Sequence, residues 1–236
     1  MKRPLSLCAA LAALLIFSAT APRASAVLVT YFNFNDSNQT SDLPGVQVST
    51  ITEPIPNGLN ASFVTPGSTL NIAPGDPSVL PNMALRLTDA NNGGGNPKTF
   101  RFSVTTLGLM NLALSYATQA SIANFTQTLS YSINGGTTFV QIGTYIPTTT
   151  GFTTATFDLS GFTALNNQAN VIFQIELTQP GGLKGDYNDF DNIQLNATPV
   201  PEPATVTGGA LALAALGYMQ RHRVRALFRA TRKKPG

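Results

Sequence analysis

Leu129-Ser130-Tyr131-Ser132-Ile133, then Asn134-Gly135-Gly136, then Phe139-Val140-Gln141-Ile142 is the stretch on which the fold turns. Apolar residues at 129, 131 and 133 alternate with polar ones, so successive side chains face opposite sides of an extended chain. Asn-Gly between two such runs signals a hairpin, because tight hairpin turns want positive φ at both central residues. The same period of two recurs outward in both directions. Toward the N-terminus it takes in Phe100, Phe102 and Val104, then Leu112, Leu114 and Tyr116. Toward the C-terminus come Ala155, Phe157 and Leu159, then Val171, Phe173, Ile175 and Leu177, and last Phe190, Ile193 and Leu195. Val27 to Phe34, Val46 to Ile51 and Met83 to Leu87 predict further strands at the front. No segment from 27 to 199 carries a helical stripe.

Eight or more short strands separated by Gly, Pro and Asn clusters predict an all-β fold, an antiparallel β-sandwich. One face of each strand supplies the core and the other meets water, which accounts for the Thr, Ser, Gln and Asn between the apolar residues. Loops are expected at Pro54 to Asn60, Pro74 to Pro81 and Asn91 to Pro97, where turn residues cluster. The composition agrees. Only 11% of the 236 residues are charged, while 14 Phe and 6 Tyr are present. A disordered charged tail lacks such aromatics, and a helical bundle needs far more Glu, Lys, Arg and Leu.

The formal charge of +3 divides unevenly along the chain. Residues 27–199 hold ten acidic residues against Arg86, Lys98, Arg101 and Lys184, so the body is acidic and both ends are basic. An acidic body repels phosphate, which argues against a nucleic-acid partner. At the N-terminus, Lys2 and Arg3 precede the apolar run Leu5 to Phe17 and the small-x-small site Ala24-Ser25-Ala26. Residues 1–26 therefore read as a cleaved signal peptide, and the run is too short to span a bilayer. Cleavage after Ala26 removes Cys8, the one cysteine, so the exported chain has no thiol to oxidise.

At the C-terminus, Pro201-Glu202-Pro203 is followed by the apolar run Ala204 to Met219 and then by Arg221, His222, Arg223 and Arg225. A helix over 204–219 would reach roughly 24 Å against a hydrocarbon core of about 30 Å, a marginal single membrane helix. A Pro-Glu-Pro motif, a weak membrane helix and an Arg cluster, in that order, resemble the PEP-CTERM sorting signal of Gram-negative envelopes. The resemblance covers residues 200–236. It implies exosortase as a processing partner at Pro201, Glu202 and Pro203, a transient membrane anchor, and retention by Arg221, Arg223 and Arg225. The expected destination is the cell surface or the extracellular matrix. One departure is the further tail with Arg229, Arg232, Lys233 and Lys234.

From Arg101 to Leu195 the order of features resembles a jelly-roll domain of the galactose-binding or carbohydrate-binding-module type. The matching features are the 129–135 hairpin, Asp158-Leu159-Ser160 and the closing Phe190-Asp191-Asn192-Ile193. The resemblance implies a non-catalytic structural or exopolysaccharide-binding role. It also implies a structural Ca²⁺ near the first and last strands, held by Asp36 and Asp191 with Asp189 nearby. Asp186 to Asn192 is the densest run of hard oxygen donors in the chain, the donors Ca²⁺ prefers, although the spacing is not that of an EF-hand. With no Trp, an aromatic platform for sugar falls to tyrosine, and Tyr187 in the acidic stretch is the candidate. Catalysis has little to work with. His222, the one histidine, sits in the basic tail, so triads and histidine metal sites fail within the body. A polysaccharide-active enzyme using paired carboxylates is the alternative, with Glu176, Asp186 and Asp189 as its acids.

Overall fold

The computed structural model describes residues 25–43, 48–52, 60–76, 80–88, 97–178 and 185–200, with 213, 216–218 and 220–221 beyond them. The chain divides into two compact units, residues 1–199 and 200–236. In the first, eleven strands are described: β1 (Val27–Phe32), β2 (Ile51–Thr52), β3 (Asn60–Val64), β4 (Ala84–Thr88), β5 (Lys98–Val104), β6 (Leu109–Ala120), β7 (Thr126–Ser132), β8 (Val140–Tyr145), β9 (Thr153–Asp158), β10 (Val171–Thr178) and β11 (Tyr187–Pro199). A single 3₁₀ turn, Thr163–Leu165, precedes β10.

Two antiparallel sheets result. The first runs β3-β4-β11-β6-β9, with β1 also paired to β11; the second runs β2-β5-β10-β7-β8. Strand β11 is long enough to hold two partners on one side, β4 along Tyr187 to Phe190 and β1 along Ile193 to Ala197. A register shift between Asp191 and Gln194 separates the two stretches, with Asn192 at φ 50° inside it. The bulge re-aims the side chains where the partner changes, which is what an inserted residue does to a ladder.

Alternation puts Leu112, Leu114, Tyr116, Phe190, Ile193 and Leu195 on the inner face of the first sheet, and Phe100, Phe102, Leu129, Phe173 and Ile175 on that of the second. Rings meet between the sheets, Phe100 with Phe190 at 4.9 Å and Phe32 with Phe102 at 5.7 Å. Each such side chain stabilises the fold by roughly 1.5–3 kcal/mol on burial. Tyr116 and Tyr131 are core residues, 0% and 6% exposed. A buried polar bridge crosses the core: Gln127 accepts from the Tyr116 hydroxyl and donates to Thr118 and Asn188.

Local readings needed three corrections. Strand β3 begins at Asn60, where a loop was expected, because Ala61 to Val64 finds the edge of β4. Of the strand expected at Val46 to Ile51, only Ile51 is in a described strand, β2; Val46 and Gln47 lie outside the described residues. The 129–142 hairpin forms, but Gly135 and Gly136 rather than Asn134 take positive φ, 72° and 85°. Asn134 closes the turn with its side chain, accepting from the Thr138 amide and from the Ser132 hydroxyl.

In the second unit, Leu213, Leu216 to Tyr218, Gln220 and Arg221 are helical. Among the described residues no helix is long and apolar enough to cross a membrane. Ala24, Pro201, Glu202, Pro203, Arg223, Arg225 and most of the span 204–219 lie outside the described residues, while Ala26 is exposed just ahead of β1.

Candidate functional site

Tyr187, Asp189 and Asp191 fall on one side of β11, facing away from the core that Phe190 enters. Register places Asp189 opposite Arg86 of β4 and Gln119 of β6. Arg86 donates to both carboxylate oxygens, Nε to Oδ1 at 2.7 Å and Nη2 to Oδ2 at 2.8 Å. Gln119 Nε2 adds a third bond at 2.8 Å. The Arg86 guanidinium also lies 3.5 Å over the Tyr187 ring, so one face of that ring is already covered. Asp189 raises the Arg86 pKa by accepting its hydrogen bonds. The expected sugar platform thus carries the guanidinium of an ion pair on one face.

Asp191, two residues on, meets different surroundings. The segment 65–76 straps across the outer side of the first sheet at the β11 bulge. Asp191 Oδ2 accepts the Ser68 amide at 2.6 Å and Oδ1 the Asn192 amide at 2.8 Å. Asn192 donates to the carbonyls of Ser68 and Leu70, and Asn71 donates to the carbonyl of Asn192. Tyr31, fully buried beneath the strap, holds its hydroxyl 2.7 Å from Asp76 Oδ2 and 2.6 Å from Asn192 Oδ1, with one proton to serve the two. Burial pushes the Asp191 carboxyl up to about 8, against the pull of its two amide bonds, and the charges of Asp76 and Asp42 push the same way. Asp42 is raised to about 6, again chiefly by burial.

Gly67 allows this packing. A Cβ there would lie 2.5 Å from Asn82 Oδ1, 2.6 Å from the Met83 carbonyl and 2.7 Å from Asp191 Oδ2. Three oxygens thus converge on the space that any side chain at position 67 would need. Beside the strap opens a pocket of about 160 Å³ lined by Asn35, Asp76, Asn82 and Asn192 with Ile72 and Leu80.

The residues expected to hold Ca²⁺ are not brought together. Asp189 is committed to Arg86, Asp191 to two backbone amides, and exposed Asp36 closes its own turn by accepting from Asn38. Among the described residues no group of three or more Asp, Glu, His or Cys is placed to hold a metal ion. The donor set therefore does not fit the cation, because each carboxylate is already satisfied or stands apart.

The outer side of the second sheet is organised differently, and sequence reasoning missed it. Register carries Thr52, Arg101, Gln174, Ser130 and Gln141 into one row across all five strands. A second row holds Thr99, Glu176, Thr128 and Thr144; Ser103, Ile172 and Ser132 make a third. Arg101 donates from Nε to Gln174 Oε1 at 2.7 Å and stacks over the Phe139 ring at 4.6 Å. The 133–139 turn leans toward this side, since a Cβ on Gly136 would sit 3.6 Å from Ile172 Cδ1 and 3.8 Å from Arg101 Nη1. Glu176 has Thr99 and Thr128 opposite it, and among the described residues no neighbouring outward position holds a second carboxylate. The one available signal was that Arg101 and Gln174 both sit at polar positions of alternating strands; their pairing is non-local.

No protein-family model and no curated protein sequence matches the chain. Solved structures do. The N-terminal CBM22-1–CBM22-2 tandem of Paenibacillus barcinonensis Xyn10C matches with a TM-score of 0.50 at 13% identity, over 78% of this chain and 50% of that one. TmCBM61 in complex with β-1,4-galactotriose matches at 0.40 and 12%, over 69% and 92%. Caldicellulosiruptor saccharolyticus CBM27-1 in complex with mannohexaose matches at 0.40 and 15%, over 75% and 98%. At these identities the likeness is one of fold, and the body is a β-sandwich similar to those of carbohydrate-binding modules.

Proposed function

We propose that this chain is an exported, envelope-sorted protein whose β-sandwich binds polysaccharide without chemically altering it. The observation that carries the reading is the outer side of the second sheet, where register sets Thr52, Arg101, Gln174, Ser130 and Gln141 in one polar row, Thr52 and Gln141 exposed, Arg101 partly so, and Gln174 and Ser130 buried between them. Four strand gaps at about 4.8 Å make the row about 19 Å long, the scale of a short oligosaccharide rather than of one sugar. Hydroxyl, amide and guanidinium groups with an aromatic ring beside them are the groups a polyol needs. The fold likeness to the CBM22 tandem supports the ligand class. A catalytic reading lacks support, since among the described residues Glu176 has no carboxylate partner in the neighbouring rows. Export rests on the signal-peptide features of residues 1–26, and sorting by exosortase to the cell surface or matrix on the resemblance of residues 200–236. The test is affinity electrophoresis of the mature protein through gels containing soluble polysaccharides. Retardation by at least one polymer, without release of shorter products, is expected. Free migration through a broad panel would refute binding, and chain shortening would refute the non-catalytic role.

A further inference from the structure

Two arginines in the body have opposite fates. Arg86 is neutralised by Asp189. Arg101 has no carboxylate partner among the described residues, although the body carries an excess of acidic ones. Its side chain is half-buried, held by Gln174 Oε1 on one edge and by the Phe139 ring on its face. Sheltering a cation without a counter-ion is costly, and burial lowers its pKa with no charge partner to offset the loss. Among the described residues, a neutral amide and a π-face orient the group but leave its charge unmatched.

We infer that the outer row of the second sheet takes an anionic saccharide, a carboxylate-bearing (uronate) residue seating on the Arg101 guanidinium. This rests on the polysaccharide-binding reading and names its ligand class. Guanidinium presents paired donors that match the two oxygens of a carboxylate. Gln174 and Phe139 fix its orientation in advance, so little side-chain freedom is lost on binding. Exposed Gln141 on one side and exposed Thr52 on the other extend the row for the flanking sugars, with buried Ser130 beneath it. Glu176, one row away, repels an anion and confines the ligand carboxylate to the Arg101–Ile172 side, where the 133–139 turn leans in. The two charges thus give the row a direction.

The experiment measures mature full-length protein against polygalacturonate and alginate, neutral galactan and dextran, and dextran sulfate, each at two salt concentrations. Carboxylated polymers are expected to bind more tightly than neutral ones, with the preference shrinking as salt rises. Arg101→Gln is expected to lower the acidic-to-neutral affinity ratio by about tenfold or more, the scale of a hydrogen bond to a charged group. Glu176→Gln should raise the same ratio a few-fold. These opposite signs separate charge recognition from general damage, and far-UV circular dichroism checks that both variants fold. Equal binding of neutral and acidic polymers overturns the inference and leaves polysaccharide binding standing. A preference for dextran sulfate over the uronates overturns the carboxylate assignment, and binding to no polymer overturns both readings. An unchanged ratio in Arg101→Gln also overturns the inference.

Discussion

Replacing Arg86 with methionine strips Asp189 of two of its three side-chain donors while leaving the carboxylate fully buried. Gln119 Nε2, at 2.8 Å, remains. Breaking a buried pair from one side costs about 3–5 kcal/mol, because the remaining charge stays desolvated without a counter-ion. The stem of methionine retains part of the packing against Tyr187, so the loss is mainly electrostatic. For a body of this size each kcal/mol moves the melting temperature by about 2–4 °C, so a fall of about 10 °C is expected. Urea unfolding followed by circular dichroism gives the free energy directly, with the slope m held constant as the control for an unchanged unfolded state. The double variant Arg86→Met with Asp189→Leu should recover most of the loss, since removing both charges abolishes the desolvation penalty. A single-variant cost below about 1 kcal/mol, the surface-pair range, would refute the account, as would a double variant less stable than the single one.

Stability should fall as pH rises from 5 to 9. Folded Asp42 and Asp191 hold protons to about 6 and about 8, against an ordinary 3.8, so the folded state binds more protons through that window and loses stability across it. Melting curves that stay flat or climb with pH would contradict this. Gly67→Ala should cost about 1–3 kcal/mol in urea unfolding, because its Cβ would meet three oxygens, one of them the fixed Met83 carbonyl. A neutral substitution would mean that the strap is not pressed against Asp191. Mass spectrometry of the mature surface form should find no peptide from Arg221 onward, and recovery of Ala226 to Arg229 would make the tail a plain anchor.

Period-two alternation is a local property, which is why Phe100 to Val104, Leu129 to Tyr131 and Val171 to Leu177 declared their strands and their inward faces without any knowledge of partners, whereas Ile133, in the same period, falls beyond the strand end and is exposed. Linear signals are equally local, so the features at 1–26 and 200–236 could be recognised from residue order alone. What a strand touches is not local. Asp189 and Asp191 stand two residues apart on the same side of β11 and look interchangeable in the sequence. Tertiary structure sends one to Arg86, 103 positions away, and the other under a strap through Ser68, 123 positions away. The cause is the bulge at Asn192, where β11 exchanges β4 for β1 and the room between those partners admits the 65–76 segment. Tyr187 likewise has one ring face taken by a guanidinium, because Arg86, opposite Asp189 on β4, reaches diagonally over it. Arg101, by contrast, gained meaning only when register set it beside Gln174 and the hairpin turn swung Phe139 over it. A side chain's periodicity fixes which face it occupies; pairing across the sheet, decided by the whole chain at once, fixes whether its charge is matched.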